Sequence, residues 1–224
     1  MAATPKLPEL HVEGIDDQNS IIHLLTINGL PFTADARVVE VKNAHGIDKL
    51  LRAIPVGIKA ANNFSVGFIV DIDTTAAQRW EQIRNAIIKS SLKAEYPNLE
   101  KSVPDRPSTK GTIFTIPEIN ARVGFWLMPD NQLEMGKLEH LLDTLIAEGD
   151  PLRAFAEKST GESVSYGAKF PKKDQIKTIL HTWLAWQEKP GLPYGTAIKA
   201  KYFATHGPAA QLFVTWCKTL FSLQ

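Results

Sequence analysis

The sequence predicts an α/β fold, a mainly parallel sheet flanked by helices with a helical C-terminal part. Three observations predict it. Short β-branched runs alternate with helical-period stretches from residue 8 to about residue 91. Their spacing suits strand–helix–strand crossovers, which join parallel strands. From about residue 150 the strand-like runs stop and helical periodicity takes over.

Residues 8–13 (PELHVE) read as a short strand leading into Gly14. Asp16-Asp17 opens a helix carrying Ile21, Ile22, Leu24 and Leu25, and Asn28-Gly29 stops it. Residues 37–42 (RVVEVK) alternate β-branched and polar side chains as a second strand does. A helix follows from Gly46 to Ala61, with Pro55 set to kink or interrupt it. The apolar run Val66 to Val70 is a third strand and ends in Asp71-Ile72-Asp73. Trp80, Ile83, Ile87 and Ile88 then fall on one face of a helix from about Ala76 to Ser91.

Pro97, Pro104 and Pro107 break the pattern over residues 93–111, which read as a loop beside the sheet edge. GTIFTI (111–116) and RVGFWLM (122–128) are two further strands, joined closely enough for a hairpin. Gly136 introduces a helix with Leu138, Leu141, Leu142, Leu145 and Ile146 on its apolar side. Lys173 to Gln187 and Pro208 to Leu220 are the clearest later helices, with residues 188–195 as the loop before the last part. Pro208 suits a first turn, where its missing N–H is not needed. Residues 1–150 are thus expected to form the α/β domain, and 151–224 a helical extension packed on the same core.

Composition excludes several classes. A net charge of +1 over 224 residues gives no global field to hold nucleic acid, so such binding needs a local patch. The single cysteine, Cys217, rules out an internal disulfide or a cysteine-based zinc site. It sits among Leu212, Phe213, Trp216 and Leu220 at helical spacing, as a buried core thiol would. No stretch approaches the roughly 20 apolar residues of a membrane span, which points to the cytoplasm. The tryptophans at 80, 126, 183, 186 and 216 read mostly as core. No histidines pair at metal-ligand spacing, and His11 and His181 read as structural.

The chemistry concentrates where strands end. Alternation puts Asp71 and Asp73 on the same side of the third strand. Two carboxylates there are costly unless neutralised, and a hard divalent cation, Mg²⁺ or Mn²⁺, is the partner oxygen ligands suit. The competing reading has one Asp capping the next helix and the other solvated. In VEGIDD (12–17), Glu13 ends the first strand, Gly14 allows a tight turn, and Asp17 lies on the same side of the junction. A helix cap accounts for Asp16 or Asp17 but not for Glu13. In parallel sheets ligands bind beyond the carboxyl ends of the strands. Glu13 and the Asp71/Asp73 pair are therefore expected to meet at one edge.

Glu13-Gly14 before a helix, with a strand ending in Asp71-x-Asp73, resembles the TOPRIM domain of topoisomerases, DnaG-type primases and overcoming-lysogenization-defect (OLD) nucleases. The Glu13-to-Asp17 spacing resembles the OLD variant. VEGIDD, WLMPDN with GKLEHLL, and HTWLAWQEKPGLPYG resemble a family of small stand-alone TOPRIM-like bacterial proteins of unknown function. The resemblance implies a Rossmann-like TOPRIM fold, with Glu13, Asp17, Asp71 and Asp73 as metal ligands and Glu13 doubling as general acid or base. It also implies DNA or RNA as substrate and metal-assisted phosphodiester chemistry. Glu139, on the helix after the last strand, is a further carboxylate of the kind OLD nucleases use; Asp130 is another acid placed to complete a second site. Among Lys169, Lys172, Lys173 and Lys177, the last is the favoured catalytic lysine; a solvated helix face is the reading for most of the cluster.

Two departures matter. Thr74-Thr75 follows the D-x-D where primases often have a nearby glycine, and Gly136-Lys137 lacks the upstream glycine of a phosphate-binding loop. Any ATPase would act in trans, so a non-catalytic binding or regulatory module with an ATPase partner is the alternative. VDIDTT also fits the nucleophile motif of haloacid dehalogenase-like phosphatases, with Asp71 attacking phosphorus and Asp73 as the acid. That motif normally opens its domain, and here it would leave Glu13 without a role.

Overall fold

The computed structural model describes residues 6–32, 36–132 and 135–223. Strands β1 (Glu9–Val12), β2 (Glu40–Asn43) and β3 (Ser65–Asp71) are linked by helices α1 (Ile15–Ile27) and α2 (Ile47–Ala60). Helix α3 (Ala76–Ile88) follows β3, capped by the Thr75 hydroxyl, which accepts from the Gln78 N–H. Pro55 does not interrupt α2; Leu50, Ile54 and Ile58 are fully buried on either side of it, and that apolar face holds the helix together across the missing N–H. The predicted second strand is shorter than expected, with pairing starting at Glu40 although Val39 is already buried.

The expected loop over 93–111 contains two single-turn helices, α4 (Leu92–Glu95) and α5 (Leu99–Ser102). Each is too short to show a period in sequence; buried Leu92 and Leu99 pin them to the core. Strands β4 (Thr112–Ile116) and β5 (Ala121–Met128) form the expected antiparallel hairpin, turned by a 3-10 turn at Pro117–Ile119. Then come α6 (Leu138–Thr144), α7 (Pro151–Ser163), α8 (Gln175–Ala185), α9 (Tyr194–Lys199) and α10 (Pro208–Phe221). Helix α9 begins inside the segment read as a loop, because Gly195 lets it lie against the α1 backbone. A Cβ at Gly195 would come within 2.9 Å of Asn19.

The five-stranded sheet runs β2-β1-β3-β5-β4, with β4 alone antiparallel to its neighbour. Alternation divides the core. Val66, Phe68 and Val70 of β3, with Val123, Phe125 and Leu127 of β5, meet α2 and α3 on one face. Leu10, Val12, Ile69, Trp126 and Met128 meet α1, α6 and the C-terminal helices on the other. Gly67 and Gly124 are register partners there, and they flatten the sheet for Leu220 of α10. A Cβ at Gly124 would stand 2.5 Å from that leucine. Cys217 is buried in α10, as expected. Trp80, Trp126, Trp183 and Trp216 are core, while Trp186 is partly exposed and stacks on Phe155. Among the described residues no helix is long and apolar enough to cross a membrane.

Candidate functional site

Because β1 and β3 are parallel neighbours, their carboxyl ends share one edge. Glu13 follows β1, and its Oε1 accepts a 2.8 Å hydrogen bond from the N–H of Asp71, the last residue of β3. Asp17, buried in the first turn of α1, accepts from the Gly14 N–H at 3.0 Å through Oδ2. It thus satisfies an orphan helix donor while still facing the edge. A cleft of about 660 Å³ opens here, lined by Glu13, Asp17, Asp71, Lys137, Glu139, Asp174 and Lys177 among others.

Glu139 reaches the cleft from the first turn of α6. One junction places that helix. Ile72 and Gly136 exchange two backbone hydrogen bonds of 2.7 Å, tying the chain after β3 to the chain before α6. Gly136 is required for this close approach, since a Cβ would stand 2.2 Å from the Pro129 ring. Lys137 is therefore held beside Asp71, although in sequence it stood out only as half of a Gly-Lys pair. Lys177 Nζ is 3.5 Å from Glu139 Oε1, and Lys137 Nζ is 2.9 Å from Asp174 Oδ1.

Asp73 and Asp130 are not among the cleft-lining residues. The chain bends after its bridge at Ile72, and the Asp73 carboxylate turns to Arg79. The Arg79 guanidinium is buried, donating from Nε to the Asp71 carbonyl and from Nη1 to Gln82, each at 2.7 Å. In sequence Arg79 is a helix position, which offers no local sign that an arginine will turn inward. Its place six residues after Asp73, one turn into the next helix, was the available signal. Asp130 accepts from the Gln132 N–H at 3.0 Å beyond β5. Lys169, Lys172 and Lys173 are exposed. His11 stacks on Phe68 and His181 on Tyr194, so both have structural packing partners.

The edge is electrostatically unbalanced. Burial pushes Glu13 up to about 7, reinforced by Asp17 and Asp73 and opposed by the Asp71 N–H and Arg79. Burial likewise raises Asp17 to about 6, against the Gly14 hydrogen bond and with Glu139 adding to it. Asp71 rises well above the carboxylate range through burial and the charges of Glu13, Asp17 and Glu139. Burial disfavours the Lys137 charge, but Asp174, Glu139 and Asp71 more than offset that and raise its pKa. Among the described residues no ion pair reaches Glu13, Asp17 or Asp71.

These carboxylates come from different segments and surround a space. Among the described residues no three acidic, histidine or cysteine side chains form a finished metal cage. The donor set is all oxygen and the local charge is negative, which fits a hard divalent cation better than any nitrogen- or sulfur-seeking metal.

A family model described as "Protein of unknown function (DUF3226)" matches residues 8–222. The chain belongs to the DUF3226 family. Membership in a family of unknown function is what the quoted motifs lead one to expect. In this DUF3226 chain the match spans the acidic edge, all five strands and α10. No curated protein and no solved structure matches it.

Proposed function

We propose that the acidic edge is a TOPRIM-type divalent-cation site for phosphodiester chemistry on nucleic acid. The observation that carries this reading is Glu13 spanning from the end of β1 to the Asp71 N–H at 2.8 Å, with Asp17 and Glu139 lining the same cleft. Glu13, Asp17 and Asp71 are half-buried or buried, repel one another and have no ion pair among the described residues, an arrangement that a bound cation stabilises. Asp71, Asp17, Glu13 and Glu139 would hold Mg²⁺ or Mn²⁺. Asp73 contributes through Arg79, which braces the Asp71 carbonyl and the bend after it. When bound, the cation supplies phosphate polarisation and an activated water.

The chain's own residues supply the rest. In this reading Glu13 doubles as the general acid or base that exchanges a proton with the reacting oxygen. Lys177 stands at the cleft wall, where charge develops on a phosphate oxygen. DNA or RNA would be contacted mainly through phosphates, with weak and salt-dependent affinity given a net charge of +1.

A second reading is a non-catalytic regulatory module that acts with an ATPase partner; the chain's only Gly-Lys pair lacks the upstream glycine of a phosphate-binding loop, so any ATPase would act in trans. The phosphatase reading is weakened because Asp73, its acid, is paired with buried Arg79. The deciding experiment incubates supercoiled DNA and structured RNA with Mg²⁺ or Mn²⁺. Cleavage by the wild type, lost in Glu13→Gln and Asp71→Asn, supports the nuclease. No cation-dependent cleavage of either polymer sinks it. Phosphomonoester hydrolysis kept in Glu13→Gln but lost in Asp71→Asn would favour the phosphatase.

A further inference from the structure

The cleft also carries positive charge beside its acids. Lys137 and Lys177 line it, brought together from the residue before α6 and from the first turn of α8. Neither ammonium contacts Glu13, Asp17 or Asp71. Lys177 lies 3.5 Å from Glu139, at the long end of ion-pair distance, and Lys137 is held at 2.9 Å by Asp174. Asp174 occupies the position before α8 but makes no side-chain cap there, whereas Thr75 and Asp150 do cap α3 and α7. Its carboxylate is spent on Lys137.

We propose that Lys137 and Lys177 form a phosphate seat, and that Asp174 is its displaceable gate. The Asp174 carboxylate fills the place on Lys137 that a phosphate oxygen would take on binding. Carboxylate and phosphate offer an ammonium the same kind of charge-assisted acceptor, so exchange keeps the number of bonds and swaps the partner. Asp174 sits on a short 3-10 turn at the protein surface (Lys172–Asp174), so moving it disturbs no packed core. The acids of the same cleft would repel a bare phosphate. The ligand that satisfies both the lysines and the acids is therefore a phosphate brought with a divalent cation, and to that extent the seat rests on the cation reading above. The volume of the cleft, about 660 Å³, accommodates a nucleotide-sized group.

The test is fluorescence anisotropy with a short labelled oligonucleotide of ordinary phosphodiester linkages, in Ca²⁺ and separately in EDTA. Lys137→Met is expected to weaken binding in Ca²⁺ by tenfold or more. Asp174→Asn is expected to tighten it several-fold by removing the competing charge. The gain should vanish when Asp174→Asn is made in the Lys137→Met background, since the gate acts only through that lysine. Unchanged or weaker binding in Asp174→Asn, or full affinity in Lys137→Met, overturns the proposal. Asp174→Asn removes only a surface charge, so it keeps the test valid if Lys137→Met folds poorly. Competition by a mononucleotide assigns the seat to a terminal phosphate, and failure to compete assigns it to an internal one; both uphold the seat. Mn²⁺ titration followed by electron paramagnetic resonance reads the carboxylates independently. If Mn²⁺ does not bind while lysine-dependent binding persists in EDTA, the cation reading fails and the seat stands.

Discussion

Strand β1 has a glutamate at its start and another just past its end, and the fold treats them oppositely. Glu9 has both carboxylate oxygens engaged, one with Lys42 of β2 at 2.6 Å and one with His11 at 2.9 Å. Burial works against its charge, yet Lys42 and His11 outweigh it and hold the pKa below the ordinary value. Glu13 is offered a backbone N–H and, besides it, other acids, and it rises to about 7. At the amino-terminal edge of the sheet Glu9 is neutralised within the protein, while at the carboxyl-terminal edge no ion pair reaches Glu13, Asp17 or Asp71 among the described residues. The proposed cation site rests on that difference.

The largest expected effect tests that difference directly. At a hundredfold excess over its dissociation constant, Mn²⁺ should stabilise the wild type by about 2.7 kcal/mol. Thermal unfolding should show the shift intact in Glu9→Gln and abolished in Asp71→Asn. An equal shift in both variants would erase the distinction between the edges. Next, Arg79→Lys keeps the charge but loses the fork that holds Asp71, Asp73 and Gln82 together, and should cost roughly 2 kcal/mol in urea unfolding. A cost near zero would mean that the bend after β3 does not depend on Arg79.

A smaller effect has a sign set by linkage. The folded-state pKa of Glu13 lies above its ordinary value of 4.5, so the folded protein binds that proton more tightly. Its ionisation therefore removes stability as pH rises from about 4.5 through about 7. Measured in EDTA, Glu13→Gln should gain on the wild type across that window, on the order of 1 kcal/mol by pH 8. Comparing the two profiles cancels the histidines, which titrate in both. Glu9 has the opposite sign, and Glu9→Gln should fall behind the wild type above about pH 4.5. The smallest effect is Lys42→Met. Lys42 is 42% exposed, so solvent screening limits the loss to about 0.5 kcal/mol. A loss several times larger would show that the neutralised edge is a buried ion pair in all but geometry.

Much of this was legible in the chain. Apolar runs ending in Glu13 and Asp71 marked two strands and where their acids would lie, because β-periodicity is written in consecutive residues. Glu139 and Lys177 were also named, and both line the cleft. Asp73 shows where alternation stops being informative: β3 ends at Asp71, and two residues later the carboxylate faces Arg79. Lys137 and Asp174, 37 positions apart, gave no local sign of their pairing. Helices α4, α5 and α9 were missed because four to six residues cannot display a helical period.

The sequence by itself determined the alternation of strands and helices, the hairpin of β4 and β5, and the acids at the strand ends, since each depends on neighbours within a few positions. Only the tertiary structure decided that β1 lies against β3, that Ile72 pairs with Gly136, and that Arg79 rather than the cleft takes Asp73. Those outcomes depend on which distant segments share a core, and packing, not local pattern, sets which charges end up with partners.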